Sequence, residues 1–124
     1  MLADAFKQAA KAADVDGLAA ALAPDVVFKS PVVFKPYQGR DEVAHILAAV
    51  VQVFEDFRYV EHLEGDGAAT LVFKARVGER ELDGLDYLRF REDGLASELT
   101  VMVRPMSAML ELAERMRSLL EPAA

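Results

Sequence analysis

The chain has 124 residues, 53% of them hydrophobic, and its 14 Lys and Arg against 21 Asp and Glu give a formal charge of −7. That length can bury a core of its own, so residues 1–124 read as one domain. The lack of Cys removes disulfide frameworks, thiol nucleophiles and Cys-based zinc sites, and the acidic balance leaves nothing to neutralise a phosphate backbone, which excludes nucleic acid as a partner.

From Leu2 to Ala13 the chain is Ala-rich, with Leu2, Phe6, Ala9, Ala10 and Ala13 on one side of a predicted helix and Lys7 and Lys11 on the other. The start lacks the positive cap and long apolar stretch of a secretory signal, so a cytoplasmic location is expected. Asp14 can cap a second helix from Val15 to Leu22, which ends at Ala23-Pro24. Asp25 to Ser30 is β-rich, and Pro31 and Pro36 bracket a loop that Gly39 closes. A third helix carries Val43, Ile46, Leu47, Val50 and Phe54 at helical steps, with Asp41 and Glu42 in its first turn. Its longest apolar run, Ile46 to Val51, is too short to cross a bilayer, so no membrane association is expected.

From Phe57 the period becomes two. Phe57, Tyr59 and Leu63 alternate with Arg58 and His62, and Glu64-Gly65-Asp66-Gly67 supplies a turn. Leu71, Phe73, Ala75 and Val77 then alternate with Thr70, Lys74 and Arg76. Gly78-Glu79-Arg80 turns again, and strands Leu82 to Arg91 and Leu95 to Arg104 pair around Glu92-Asp93-Gly94. Pro105 starts a last amphipathic helix with Met106, Met109, Leu110, Ala113 and Met116 at core spacing. Helices followed by a run of strands predict an α+β fold, a curved antiparallel sheet packed on one face by helices. The other face would carry Val72, Lys74, Arg76, Tyr87, Arg89, Glu98, Thr100, Met102 and Arg104. Mixed apolar and opposite charges there suit a homodimer; the rival reading is a solvated sheet face.

Several stretches carry a resemblance. Ala13-Asp14-Val15-Asp16-Gly17-Leu18, Leu22-Ala23-Pro24-Asp25-Val26-Val27-Phe28, Ser30-Pro31 and Tyr37-Gln38-Gly39-Arg40-Asp41-Glu42-Val43 resemble the opening of the nuclear-transport-factor-2-like superfamily. Asp86-Tyr87-Leu88-Arg89-Phe90 and Glu92-Asp93-Gly94-Leu95-Ala96-Ser97-Glu98 are similar to its final hairpin, above all in SnoaL-like and ketosteroid-isomerase-like members. The resemblance spans nearly the whole chain and implies a cone-shaped, cystatin-like domain enclosing an apolar pocket, often in a dimer. It implies no single activity.

Compared residue by residue, both well-described chemistries of the superfamily lose parts. The isomerase-like pattern places its general base, an Asp before Pro, at Ser30, and its oxyanion-donating Tyr at Phe6. A hydroxyl of ordinary pKa cannot take that proton. The second oxyanion group of that pattern has a counterpart in Asp86. The epoxide-hydrolase-like pattern would place an Asp of its Asp-Arg-Asp set at Val101 or a neighbour, Thr100 or Met102, none of which activates water.

Asp86 is therefore the first candidate. It alternates with Leu88 and Phe90 on the apolar side of its strand, where burial favours the neutral acid, able to donate to a ligand oxygen. The alternative is a carboxylate at the rim, capping a turn or paired with a cation. Tyr59 shares the inward face with Phe57, and Tyr37 sits in the Pro-bounded loop; each either orients a ligand oxygen or simply packs. Ser30 is assigned a pocket-lining role with a local backbone hydrogen bond. Apolar walls are expected from Phe6, Phe28, Phe34, Phe54, Tyr59, Phe73 and Leu88, with Val101 on the last strand. His45 and His62 share no metal spacing, and neither a metal nor a cofactor is expected. The reading is a binder of a small, mostly apolar molecule with one or two oxygen functions. Its alternatives are a SnoaL-like cyclase, isomerase or hydrolase using Asp86 as acid or base, and an interaction module whose cone is filled by its own side chains.

Overall fold

A computed structural model describes residues 1–120. Helix α1 (Asp4–Lys11) buries Phe6 and Ala9, and α2 (Val15–Ala20) is capped by Asp14, whose side chain accepts the Gly17 N–H at 3.0 Å. The second helix stops sooner than its pattern predicts because Leu22 already pairs as strand. Then come β1 (Leu22–Lys29), β2 (Tyr37–Gln38), α3 (Arg40–Val53), β3 (Glu55–Gly65), β4 (Ala68–Val77), β5 (Arg80–Phe90), β6 (Ala96–Arg104) and α4 (Met106–Leu120). Tyr37, expected in a loop, instead forms with Gln38 a two-residue edge strand on β1.

One sheet of order β2-β1-β6-β5-β4-β3 curves around the helices. The expected all-antiparallel pairing is corrected at one place: β1 runs parallel to β6, with Phe28 opposite Leu99. Strands β3 to β6 form an antiparallel meander that leaves one edge of β6 open. A parallel pair needs a long crossover, and everything between Lys29 and Ala96 supplies it. Arg40 ties α3 to this corner, donating from Nε to the Leu22 carbonyl at 2.9 Å.

The meander owes its register to turns and bulges. Asp66 and Gly67 both take positive φ, 53° and 73°, the mirror-image turn that suits the twist of paired strands. On β3, Tyr59 opposes Phe73 but Glu61 opposes Val72, so Val60 is an extra residue. A one-residue insertion reverses which side chains face inward. Beyond it His62 turns toward the helices and Leu63 is 57% exposed, the reverse of the unbroken alternation expected from sequence.

Strands β4, β5 and β6 send Leu71, Phe73, Leu88 and Leu99 into the core, where they meet Val43, Ile46 and Leu47 of α3 and Leu112 of α4. At the rate of about 25 cal/mol per Å² of apolar surface, such burial is the main stabilising term.

Candidate functional site

Between the sheet and the helices lies a cavity of about 790 Å³. Phe6 of α1, Phe28 of β1, Leu47 and Val50 of α3, and Val101 of β6 give it apolar walls. The cone is thus not filled by its own side chains, the condition that a pure interaction module required.

Two polar groups meet on the inner wall. Asp86 points inward because it alternates with Gly84 and Leu88 on β5, and it is the buried charged residue of the described core. The Tyr59 hydroxyl donates to its Oδ2 at 2.8 Å. Asp86 opposes Leu71 on β4, and Tyr59 opposes Phe73 on the other edge of β4. The bond therefore spans two strand spacings, about 10 Å of sheet, a reach suited to a phenol.

Burial pushes the Asp86 carboxyl up to about 7, against a smaller downward pull from the Tyr59 hydroxyl. The Tyr59 phenol is held far above its ordinary value, chiefly by burial and then by Asp86 beside it. Tyr59 therefore keeps its proton and donates. Its claim on Oδ2 leaves a proton on Asp86 to reside at Oδ1. No fully buried side-chain N or O among the described residues lacks a partner, and Asp86 lines the cavity, so Oδ1 opens onto that space. Near neutral pH both forms are populated. The protonated acid can donate to a ligand oxygen, and the carboxylate can accept a hydrogen bond or a proton.

The structure brings Phe6, Phe28, Ser30, Tyr37, Phe54, Tyr59, Asp86 and Val101 onto this lining. The Ser30 hydroxyl is occupied locally, accepting the Val32 and Val33 N–H groups at 3.1 Å each. Three expected wall residues are corrected. Phe34 is 102% exposed, because the loop between Pro31 and Pro36 carries it outward and leaves Val32 and Val33 against the cavity. Leu88 is sealed in the core off the lining. Phe73 lies behind the wall, its ring centroid 5.5 Å from that of Phe54 and 5.0 Å from that of Phe57. Sequence reasoning left out Lys11, the α3 residues Ile46, Leu47, Val50 and Val51, and the α4 residues Leu110, Ala113 and Met116, all on the lining. The apolar stripes of both helices were the available signal, but periodicity cannot separate a residue facing a cavity from one facing packed core.

Asp4, His62 and Glu64 bring possible metal-binding atoms within 4.8 Å of one another. Their chemistry points instead to a polar clamp of α1 on β3. Glu64 accepts the Leu2 N–H at 2.8 Å, His62 Nε2 lies 2.5 Å from Glu64, and the Lys7 ammonium sits 3.3 Å from His62 Nδ1. An ammonium so placed opposes a second cation. His45 is exposed on α3.

The outer face carries Val72, Lys74, Arg76, Tyr87, Arg89, Thr100, Met102 and Arg104 as half-buried or exposed residues. Its charges are largely paired within the chain. Asp83 accepts from Lys74 and Arg104 at 2.7 Å each, Arg76 binds Glu55 and Asp56, and the Arg89 guanidinium lies 5.7 Å from the Tyr87 ring centre. No described helix is long and apolar enough to cross a membrane.

A curved six-stranded sheet wrapped over helices around an apolar cavity defines the cystatin-like, nuclear-transport-factor-2-like class. The SnoaL-like domain family matches residues 3–99, and the chain belongs to that family. A structure described as a steroid delta-isomerase from Pseudomonas aeruginosa shares 46% identity and a TM-score of 0.89, over 93% of this chain and 85% of that one. An uncharacterised bacterial protein with a cystatin-like fold from Silicibacter pomeroyi shares 32% identity and a TM-score of 0.91, over 94% and 83%. A protein of ketosteroid-isomerase-like fold from Catenulispora acidiphila, in complex with trimethylamine, shares 13% identity and a TM-score of 0.69 over 91% and 92%, a likeness of fold alone. No curated protein matches the chain.

Proposed function

We propose that the protein binds a small, mostly apolar molecule in its cavity and holds one oxygen of that molecule on Asp86. Asp86 carries this reading: a buried carboxyl pushed up to about 7 faces an apolar space of about 790 Å³, held in place by Tyr59. An apolar pocket with few convergent polar groups suits such a ligand. Native mass spectrometry of freshly purified protein tests it. A small molecule that travels with the wild type and is lost from Asp86→Ala at unchanged fold is the expected result; empty protein that takes up no apolar alcohol or ketone overturns it.

A second reading is favoured by the 46% identity to a steroid delta-isomerase and by an acid poised near neutrality. In it Asp86 is the acid or base of an isomerase-type reaction. Ser30 and Phe6 stand where the isomerase-like pattern needs a base and a donor, so in this reading the proton transfer falls to Asp86, with Tyr59 holding it by a hydrogen bond. Turnover of a β,γ-unsaturated steroid ketone, abolished by Asp86→Asn, would favour this reading over binding alone.

The proposal includes a second copy on the outer sheet face, with Val72, Tyr87 and Met102 in apolar contact. Sedimentation that shows only monomer at micromolar concentration removes that part.

A further inference from the structure

The charged groups on the cavity lining fall into two sets at different depths. Asp86 is buried on the inner wall, whereas Lys11, Glu114 and Arg117 are exposed residues of α1 and α4 that line the same space where it meets solvent. Glu114 is engaged, its Oε1 accepting from Arg117 at 2.5 Å. Lys11 has no carboxylate partner among the described residues. Lys29 and Lys74 each hold a carboxylate at 2.7 Å, whereas Lys7, Lys11 and Lys35 hold none among the described residues, and of these three it is Lys11 that lines the cavity. A cation in the last turn of a helix is favoured by the helix dipole, which accounts for a lysine in that turn but not for its place on the cavity wall. Among the described residues Lys11 thus sets at the opening a cation that no carboxylate holds, in a chain that is acidic overall. Apolar walls around an opening strengthen such a local field.

We infer that the ligand is an amphipathic acid, with an apolar body, a hydroxyl or carbonyl oxygen set on Asp86 and a carboxylate at the mouth read by Lys11. This rests on the cavity being the binding site proposed above. Lys11 is then a specificity residue, selecting acids over neutral molecules of the same body. The lysine is exposed and its pairing is screened, so the expected preference is about fivefold at low salt.

Decanol and ω-hydroxydecanoate are matched probes, alike in chain and hydroxyl and differing in the far carboxylate. Calorimetric titration of the whole protein should show the hydroxy acid binding about fivefold tighter than decanol, with the advantage shrinking as sodium chloride is added. Lys11→Gln should bring the two affinities together, and Lys11→Glu should make decanol the tighter of the two. Equal affinities in the wild type, or a preference that survives Lys11→Gln, overturn the inference. Decanol that binds and is weakened by Asp86→Asn, with no advantage for the acid, overturns the Lys11 inference alone. If neither probe binds, the cavity reading falls with it.

Discussion

The ring of Phe73 lies against the backbone of Gly84, its partner across the β4–β5 ladder, so closely that a Cβ at Gly84 would sit 2.3 Å from Cζ of the ring. Phe73 cannot readily yield, because Phe54, Phe57 and Tyr59 surround it at centroid distances of 5.5, 5.0 and 6.3 Å. Gly84→Ala should therefore cost about 1–3 kcal/mol in urea denaturation. Adding Phe73→Leu should return part of that loss, a coupling that two independent sites would not show.

Stability should fall with rising pH through the range in which Asp86 titrates. The Asp86 carboxyl lies at about 7 in the fold against 3.8 for the free side chain, so between those values the folded chain holds a proton that the unfolded chain has released. The Asp86 contribution is complete below about pH 4, declines as pH rises and levels off above about 7, a loss of about 4 kcal/mol. Asp86→Asn keeps a neutral group that can still accept from Tyr59 and should flatten this slope. Denaturation midpoints that run parallel for the two proteins from pH 4 to 8 would contradict it.

Tyr59→Phe should move the Asp86 titration further upward, since the phenol is the one group drawing it down. The carboxyl carbon of Asp86, followed by NMR against pH, reports the midpoint directly. The variant should also lose about 1 kcal/mol for a partly desolvated hydrogen bond. A midpoint that stays in place would mean that the phenol does not donate to this carboxyl in solution.

Two phenylalanines six positions apart should behave oppositely. Phe28 is 2% exposed and stacked on Tyr37, while Phe34 is wholly exposed. Phe28→Ala should cost about 3–5 kcal/mol, and Phe34→Ser should stay within about 0.5 kcal/mol. Thermal melts of the pair suffice.

The parts of this molecule most legible in sequence were those set by local pattern. The alternation of Asp86 and Leu88 against Tyr87 and Arg89 points the carboxyl to the apolar side of its strand, and Asp86 and Leu88 are indeed buried there. The stripe of Val43, Ile46 and Leu47 likewise faces the core. What stayed hidden depended on insertions and on distant partners. No residue type announces Val60 as an extra residue, yet it reverses His62 and Leu63. Tyr59 was legible as inward but not as the partner of Asp86, because that bond passes over a strand whose register is set by the same bulges. Phe34 was misplaced because an apolar side chain in a Pro-bounded loop has no period to orient it.

The parallel seam between β1 and β6 also orders events during folding. Phe28 can meet Leu99 only when the late part of the chain has been made, whereas the neighbouring hairpins of the meander close over short loops. Contacts so distant in sequence form slowly. The cavity wall that β1 and β6 share therefore cannot exist until both ends of this long crossover are present.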